Sequence, residues 1–237
     1  MLSPIGWLDG VTALIVVISG ILFGVLSMIK SVKLEAKLLG ITGLTTLSAG
    51  FVLLGPAVDF LTILLTGHNL QPYWLYGLLS YAWTGPVTIF GLYIGSELIL
   101  PDKKKLIVGV YTVLSVIFEI ILFLFSFTNP SLIFEYTADT GNENLLNTSV
   151  VLASPIFILM MLFLISGLIF NGFGFLRKSF QSTGDIKRKF LYLSLGWILF
   201  IVCGALDALT DPGIVTFFIR IGMILSIAFM YLGVRIK

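Results

Sequence analysis

Long apolar runs separated by short polar gaps occupy most of the 237 residues. Their lengths are those of bilayer-crossing helices, because a hydrocarbon core of about 30 Å takes about 20 residues at a rise of about 1.5 Å each. The pattern predicts seven helices, over roughly 7–29, 37–66, 72–100, 104–127, 149–176, 186–210 and 213–235. The fold class that follows is all-α, a single transmembrane domain over 1–237 built as a seven-helix bundle. Pro56, Pro86 and Pro155 stand inside the second, third and fifth runs and predict kinks, with a break in the second helix at Gly55-Pro56.

The gaps sort by charge. Thirteen of the fourteen Lys and Arg fall in every second gap. They are Lys30, Lys33 and Lys37; Lys103, Lys104 and Lys105; Arg177, Lys178, Lys187, Arg188 and Lys189; and Arg235 and Lys237. The intervening gaps hold none, and the longest, Thr128–Thr148, carries Glu135, Asp139 and Glu143. Basic residues stay on the cytoplasmic side of a membrane, so the alternation predicts an outside N-terminus and a cytoplasmic C-terminus in the plasma membrane. The first run precedes its positive charges, opposite to a cleaved signal peptide, and reads as a retained helix.

Composition narrows the function classes. Charged residues make up 11% of the chain and hydrophobic ones 58%, which leaves no room for a soluble domain. The net charge of +2 is spread along bilayer flanks rather than gathered in a patch, so no nucleic-acid partner is expected. One cysteine, Cys203, and one histidine, His68, in an outer loop, supply neither a disulfide nor a metal-ligand set. No membrane serine has a nearby base, so an enzyme is not expected, nor a cofactor. The seventh helix has no mid-span lysine for a retinal Schiff base. Asn147-Thr148-Ser149 fits a glycosylation sequon on the outer side, a pattern that also arises by chance.

Four ionisable residues within the apolar runs matter here: Asp59, Glu119, Asp207 and Arg220. Counted from the inner charges, Glu119 and Arg220 lie about 21–23 Å deep and Asp207 about 27 Å deep, with Asp59 near the outer interface. Opposite charges at one depth predict that Arg220 pairs with Glu119, with Asp207 or with both. Polar residues recur at helical spacing nearby, at Tyr76, Ser80, Thr84 and Thr88 and at Thr112, Ser115, Glu119 and Ser126. The arrangement suits an outer-half polar crevice for a small-molecule ligand. It equally suits a buried ion pair that pins helices together. Arg177, Lys178, Lys187, Arg188 and Lys189 would contact a cytoplasmic partner or anionic lipid.

From the end of the fourth helix onward, the chain resembles the seven-helix sensor region found at the N-terminus of some bacterial and archaeal histidine kinases. The features that carry the likeness are Phe127-Thr128-Asn129-Pro130, Arg177-Lys178 and the run Ile186-Lys187-Arg188-Lys189-Phe190-Leu191-Tyr192-Leu193-Ser194-Leu195-Gly196. Tyr93-Ile94-Gly95-Ser96-Glu97-Leu98 is also similar. The family continues into a linker and kinase, whereas this chain stops at Lys237, as a stand-alone relative or the sensor piece of a longer protein. The resemblance implies a receptor-like membrane sensor that binds a small molecule and signals to a separate cytoplasmic protein. A small-solute or ion transporter, or a structural membrane subunit, are the alternatives.

Overall fold

The computed structural model describes residues 2–137 and 144–235; Asp139, Glu143 and Lys237 lie outside the described residues. The chain is a helical bundle with a two-stranded sheet at one end. Helix α1 spans Pro4–Leu34, α2 Lys37–Phe51, α3 Leu54–Thr66, α4 Trp74–Tyr81, α5 Thr84–Ile99 and α6 Lys104–Thr128. Strand β1 (Phe134–Thr137) pairs antiparallel with β2 (Asn147–Val150), Tyr136 opposite Thr148. Then come α7 (Pro155–Gly167), a π-helical turn (Leu168–Phe173), α8 (Gly174–Phe180), α9 (Gly184–Asp207) and α10 (Ile214–Val234).

Among the described residues, five helical stretches are long and apolar enough to cross a membrane. They are α1, α6 with the short turn before it, the α7–π–α8 rod, α9 and α10. The bent pair α2–α3 passes the same test when taken together.

Prolines decide where the helices break. The helix expected over 37–66 is two helices inclined at 51°. Pro56 has no N–H to give the Val52 carbonyl, and its ring would clash with that carbonyl, so the interruption falls at Val52-Leu53 rather than at Gly55-Pro56. Pro86 acts likewise four residues back, on Ala82, and divides the expected helix 72–100 into α4 and α5. Pro155 produces no kink. It stands in the first turn of α7, where its missing N–H costs nothing, behind the Ser154 hydroxyl, which accepts from the Phe157 amide at 3.2 Å. The fifth helix therefore starts at Pro155, not Ser149, and its expected first residues belong to β2.

Small residues set the closest packing. A Cβ added to Gly20 of α1 would lie 2.6 Å from the Gly50 Cα of α2, and one on Gly24 would lie 2.9 Å from the Gly43 carbonyl oxygen. Membrane helices approach this closely through glycine because lipid supplies no hydrophobic drive and van der Waals contact must hold them. Backbone cannot yield as a side chain can. Gly50→Leu is therefore expected to cost about 1–3 kcal/mol or more, read as a lower unfolding midpoint in detergent. An unchanged midpoint would mean that α1 and α2 do not meet through these glycines.

The basic clusters meet at the end opposite the sheet. The Lys30 ammonium donates to the Tyr231 hydroxyl, and Lys37 and Lys104 lie 5.7 and 3.9 Å from the Tyr93 ring centroid. Lys104 also pairs with Glu97. At the other end, the Ser3 hydroxyl hydrogen-bonds the Asn144 side chain, tying the start of α1 to the segment before β2. The two ends are called the basic face and the hairpin face below.

Candidate ligand cavity

Arg220 sits in the second turn of α10, its side chain 5% exposed. Its Nε donates to Asp207 Oδ1 at the end of α9, at 3.1 Å. Its Nη1 donates to the Asp9 carbonyl of α1 at 2.6 Å and to Thr12 Oγ1 at 3.2 Å, and lies 2.5 Å from Asp9 Oδ1. One guanidinium thus joins three helices and faces two carboxylates. A buried ion needs this many partners, because the low-dielectric surroundings penalise any charge left uncompensated.

Arg220 and Asp207 come together as the depth count expects, but Asp9 was not among the sequence candidates. The readable signal is the face it shares: Gly6, Asp9, Gly10, Ala13 and Val17 recur at three- and four-residue spacing and are all buried.

Glu119 does not join the pair. It stands on α6 against the first turn of α5, where its Oε1 lies 2.7 Å from the place a Gly85 Cβ would take and has no hydrogen-bond partner among the described residues. Equal depth puts two residues on one level but says nothing of which way each helix turns them, and α6 packs on α5. Asp59, expected at an outer crevice, is instead fully buried outside the cavity. It accepts from the Leu70 amide at 2.6 Å, the Leu146 amide at 2.8 Å and Asn69 Nδ2 at 3.1 Å. One carboxylate therefore holds two separate connections on the hairpin face.

A cavity of about 770 Å³ begins at the hairpin face, beside β2 and the α9–α10 connection. It passes Asp9, Asp207 and Arg220 and descends between α5, α7 and α9. Its walls are mostly apolar, with Val87, Leu92, Trp197, Phe200 and Met223 among them. Of the two polar stripes read from the sequence, the one with Tyr76, Ser80, Thr84 and Thr88 lines it. The hydroxyls of Ser80 and Thr88 donate to Tyr76 and Thr84 carbonyls of their own helices, which leaves their oxygens as acceptors. The stripe with Thr112, Ser115 and Ser126 on α6 does not line it.

The cavity runs deeper than an outer-half crevice. Its far end holds Trp197 and Asn171, the latter in the π-helical turn and fully buried, with neither side-chain amide atom paired among the described residues. Gly91 and Gly95 of α5 make room for it: a Cβ on Gly91 would lie 3.2 Å from Asn171 Nδ2. Sequence reasoning passed over Asn171, although it is the one asparagine inside an apolar run.

Asn147 lies in β2 on the cavity rim, and His68 is exposed after α3. On the basic face, Arg177, Lys187 and Arg188 are exposed while Lys178 and Lys189 are half-buried. Among the described residues, no group of three His, Cys, Asp or Glu is placed to hold a metal ion. No family model matches the chain, and neither does a curated protein or a solved structure.

Proposed function

We propose that the chain is a receptor-like seven-helix sensor of the plasma membrane, its hairpin face outside and its basic face in the cytoplasm. In this reading α2–α3 and α4–α5 each form one broken span, which with the five long stretches makes seven. The one-sided distribution of Lys and Arg supports the orientation. The resemblance to histidine-kinase sensor regions points the same way.

The observation that carries the functional reading is the cavity. Its volume falls within the range of about 300–1,000 Å³ for small-molecule sites, and its apolar walls with a few convergent polar groups have their usual composition. The polar wall holds Asp9 and Asp207 against Arg220, two carboxylates to one guanidinium. That imbalance suits a ligand with a cationic or hydrogen-bond-donating head and an apolar body. Binding would favour one arrangement of α9 and α10 over another. Arg177, Lys178, Lys187, Arg188 and Lys189 would carry that change to a cytoplasmic signalling protein or to anionic lipid.

Dodecylamine is a suitable first probe. The full chain in lipid nanodiscs is expected to bind it saturably, and Asp207→Asn to weaken binding at least tenfold, which corresponds to about 1.4 kcal/mol. Absence of saturable binding by the folded protein would remove the ligand role. A second reading is a transporter, favoured by the helix breaks at Val52-Leu53 and Ala82-Trp83, both beside the cavity. A sustained amine-driven current across a supported membrane, lost in Asp207→Asn, would replace the receptor with that alternative.

A further inference from the structure

Asn171 has no part in the charged wall, yet it is a fully buried polar side chain that lines the cavity. Buried amides in native proteins are nearly always hydrogen-bonded, and one that is not carries the full penalty of its desolvation. Here both the donor and the acceptor of one side chain are unpaired among the described residues. A single water is a poor remedy, because a buried water needs two to four polar partners and the neighbours at this end are Trp197, Gly91 and Gly95. The surrounding backbone is unusual as well. Leu168–Phe173 is wound as a π-helix, a form that costs hydrogen-bond geometry and recurs at functional sites.

We propose that Asn171 is a second anchor of the same cavity, taking an uncharged carboxamide or hydroxyl at the deep end of an elongated amphiphile. The proposal rests on the ligand-binding reading above and adds the far end of the ligand to it. A carboxamide matches Asn171 donor for acceptor and acceptor for donor. The apolar walls between the anchors take the connecting chain. Trp197, at the level of Asn171, precedes Asp207 by ten residues on α9, so the anchors stand about 15 Å apart along the helix axis. An extended chain of about twelve carbons covers that distance. The ligand is thus bipolar, with a cationic head at Asp9 and Asp207 and a neutral polar tail-end at Asn171.

The test compares radiolabelled dodecylamine with ω-aminododecanamide on the full chain in dioleoylphosphatidylcholine nanodiscs, with empty discs as background. The wild type is expected to bind the carboxamide probe at least tenfold more tightly than dodecylamine. Asn171→Leu should erase that preference, bringing the two probes to within about twofold of each other, and Asn171→Ala should do the same. The unfolding midpoint of Asn171→Leu should hold or rise, since Leu removes an unpaired buried amide. Equal affinities of the wild type for both probes would overturn the deep anchor and leave the charged wall as a site. A preference that survives in Asn171→Leu would overturn it too, as would a lower midpoint with preference intact, which assigns the amide to packing. Failure of both probes to saturate the wild type would sink the ligand-binding reading and this inference together.

Discussion

Replacing Arg220 with methionine is expected to lower stability by about 3–5 kcal/mol, because it leaves Asp9 buried and Asp207 half-buried with no countercharge. Asp9 loses most. Its carboxylate and its carbonyl both face the guanidinium, and its side chain is 3% exposed. The loss should appear as a fall in the unfolding midpoint and in the yield of monodisperse protein from the membrane. Adding Asp9→Asn and Asp207→Asn to the same chain should recover most of it, since no charge then remains to be compensated. This recovery separates an electrostatic cause from simple loss of arginine packing. A triple variant no more stable than Arg220→Met would assign the role to the arginine stem.

Asp59→Leu should produce the second-largest loss, about 3 kcal/mol or more, because the Leu70 and Leu146 amides both lose their acceptor in a buried setting. The effect has a local signature. Hydrogen exchange at those two amides should accelerate well beyond the change at the centre of α10. Asp59→Asn, which keeps an acceptor oxygen, should fall between the wild type and the leucine variant. Exchange rates that do not respond to either substitution would mean that the two connections are held by something else.

The long helices near 7–29, 104–127, 186–210 and 213–235 were legible because an uninterrupted apolar run of that length has few other uses. Where a proline intervened, the run showed that a helix existed but not where it ended. The break is imposed at the carbonyl four residues earlier, as at Val52 and Ala82, or is absent when the proline opens a helix, as at Pro155. The hairpin was missed because each strand is only four residues long and sits within a loop of mixed composition. For the site, depth could be counted but azimuth could not. Arg220 and Asp207 face each other, while Glu119 at a similar level is turned towards α5 and Asp59 towards the loops. Asp9 and Asn171 were hidden for opposite reasons. Asp9 stands only two residues into its apolar run and Asn171 is uncharged, so a depth count of mid-run charges reaches neither.

The π-helical turn also bears on how lengths of related chains should be compared. A π-turn accommodates one more residue than the α-helix it interrupts, so Leu168–Phe173 is in effect an insertion placed inside an apolar rod rather than in a loop. A relative shorter by one residue here would keep the hydropathy, the span and even the asparagine, yet close into a plain α-helix. Everything downstream, Phe175 and the Arg177-Lys178 pair included, would then rotate by about 100° relative to α7. A one-residue gap at 168–173 in an alignment should therefore be read as a change of site.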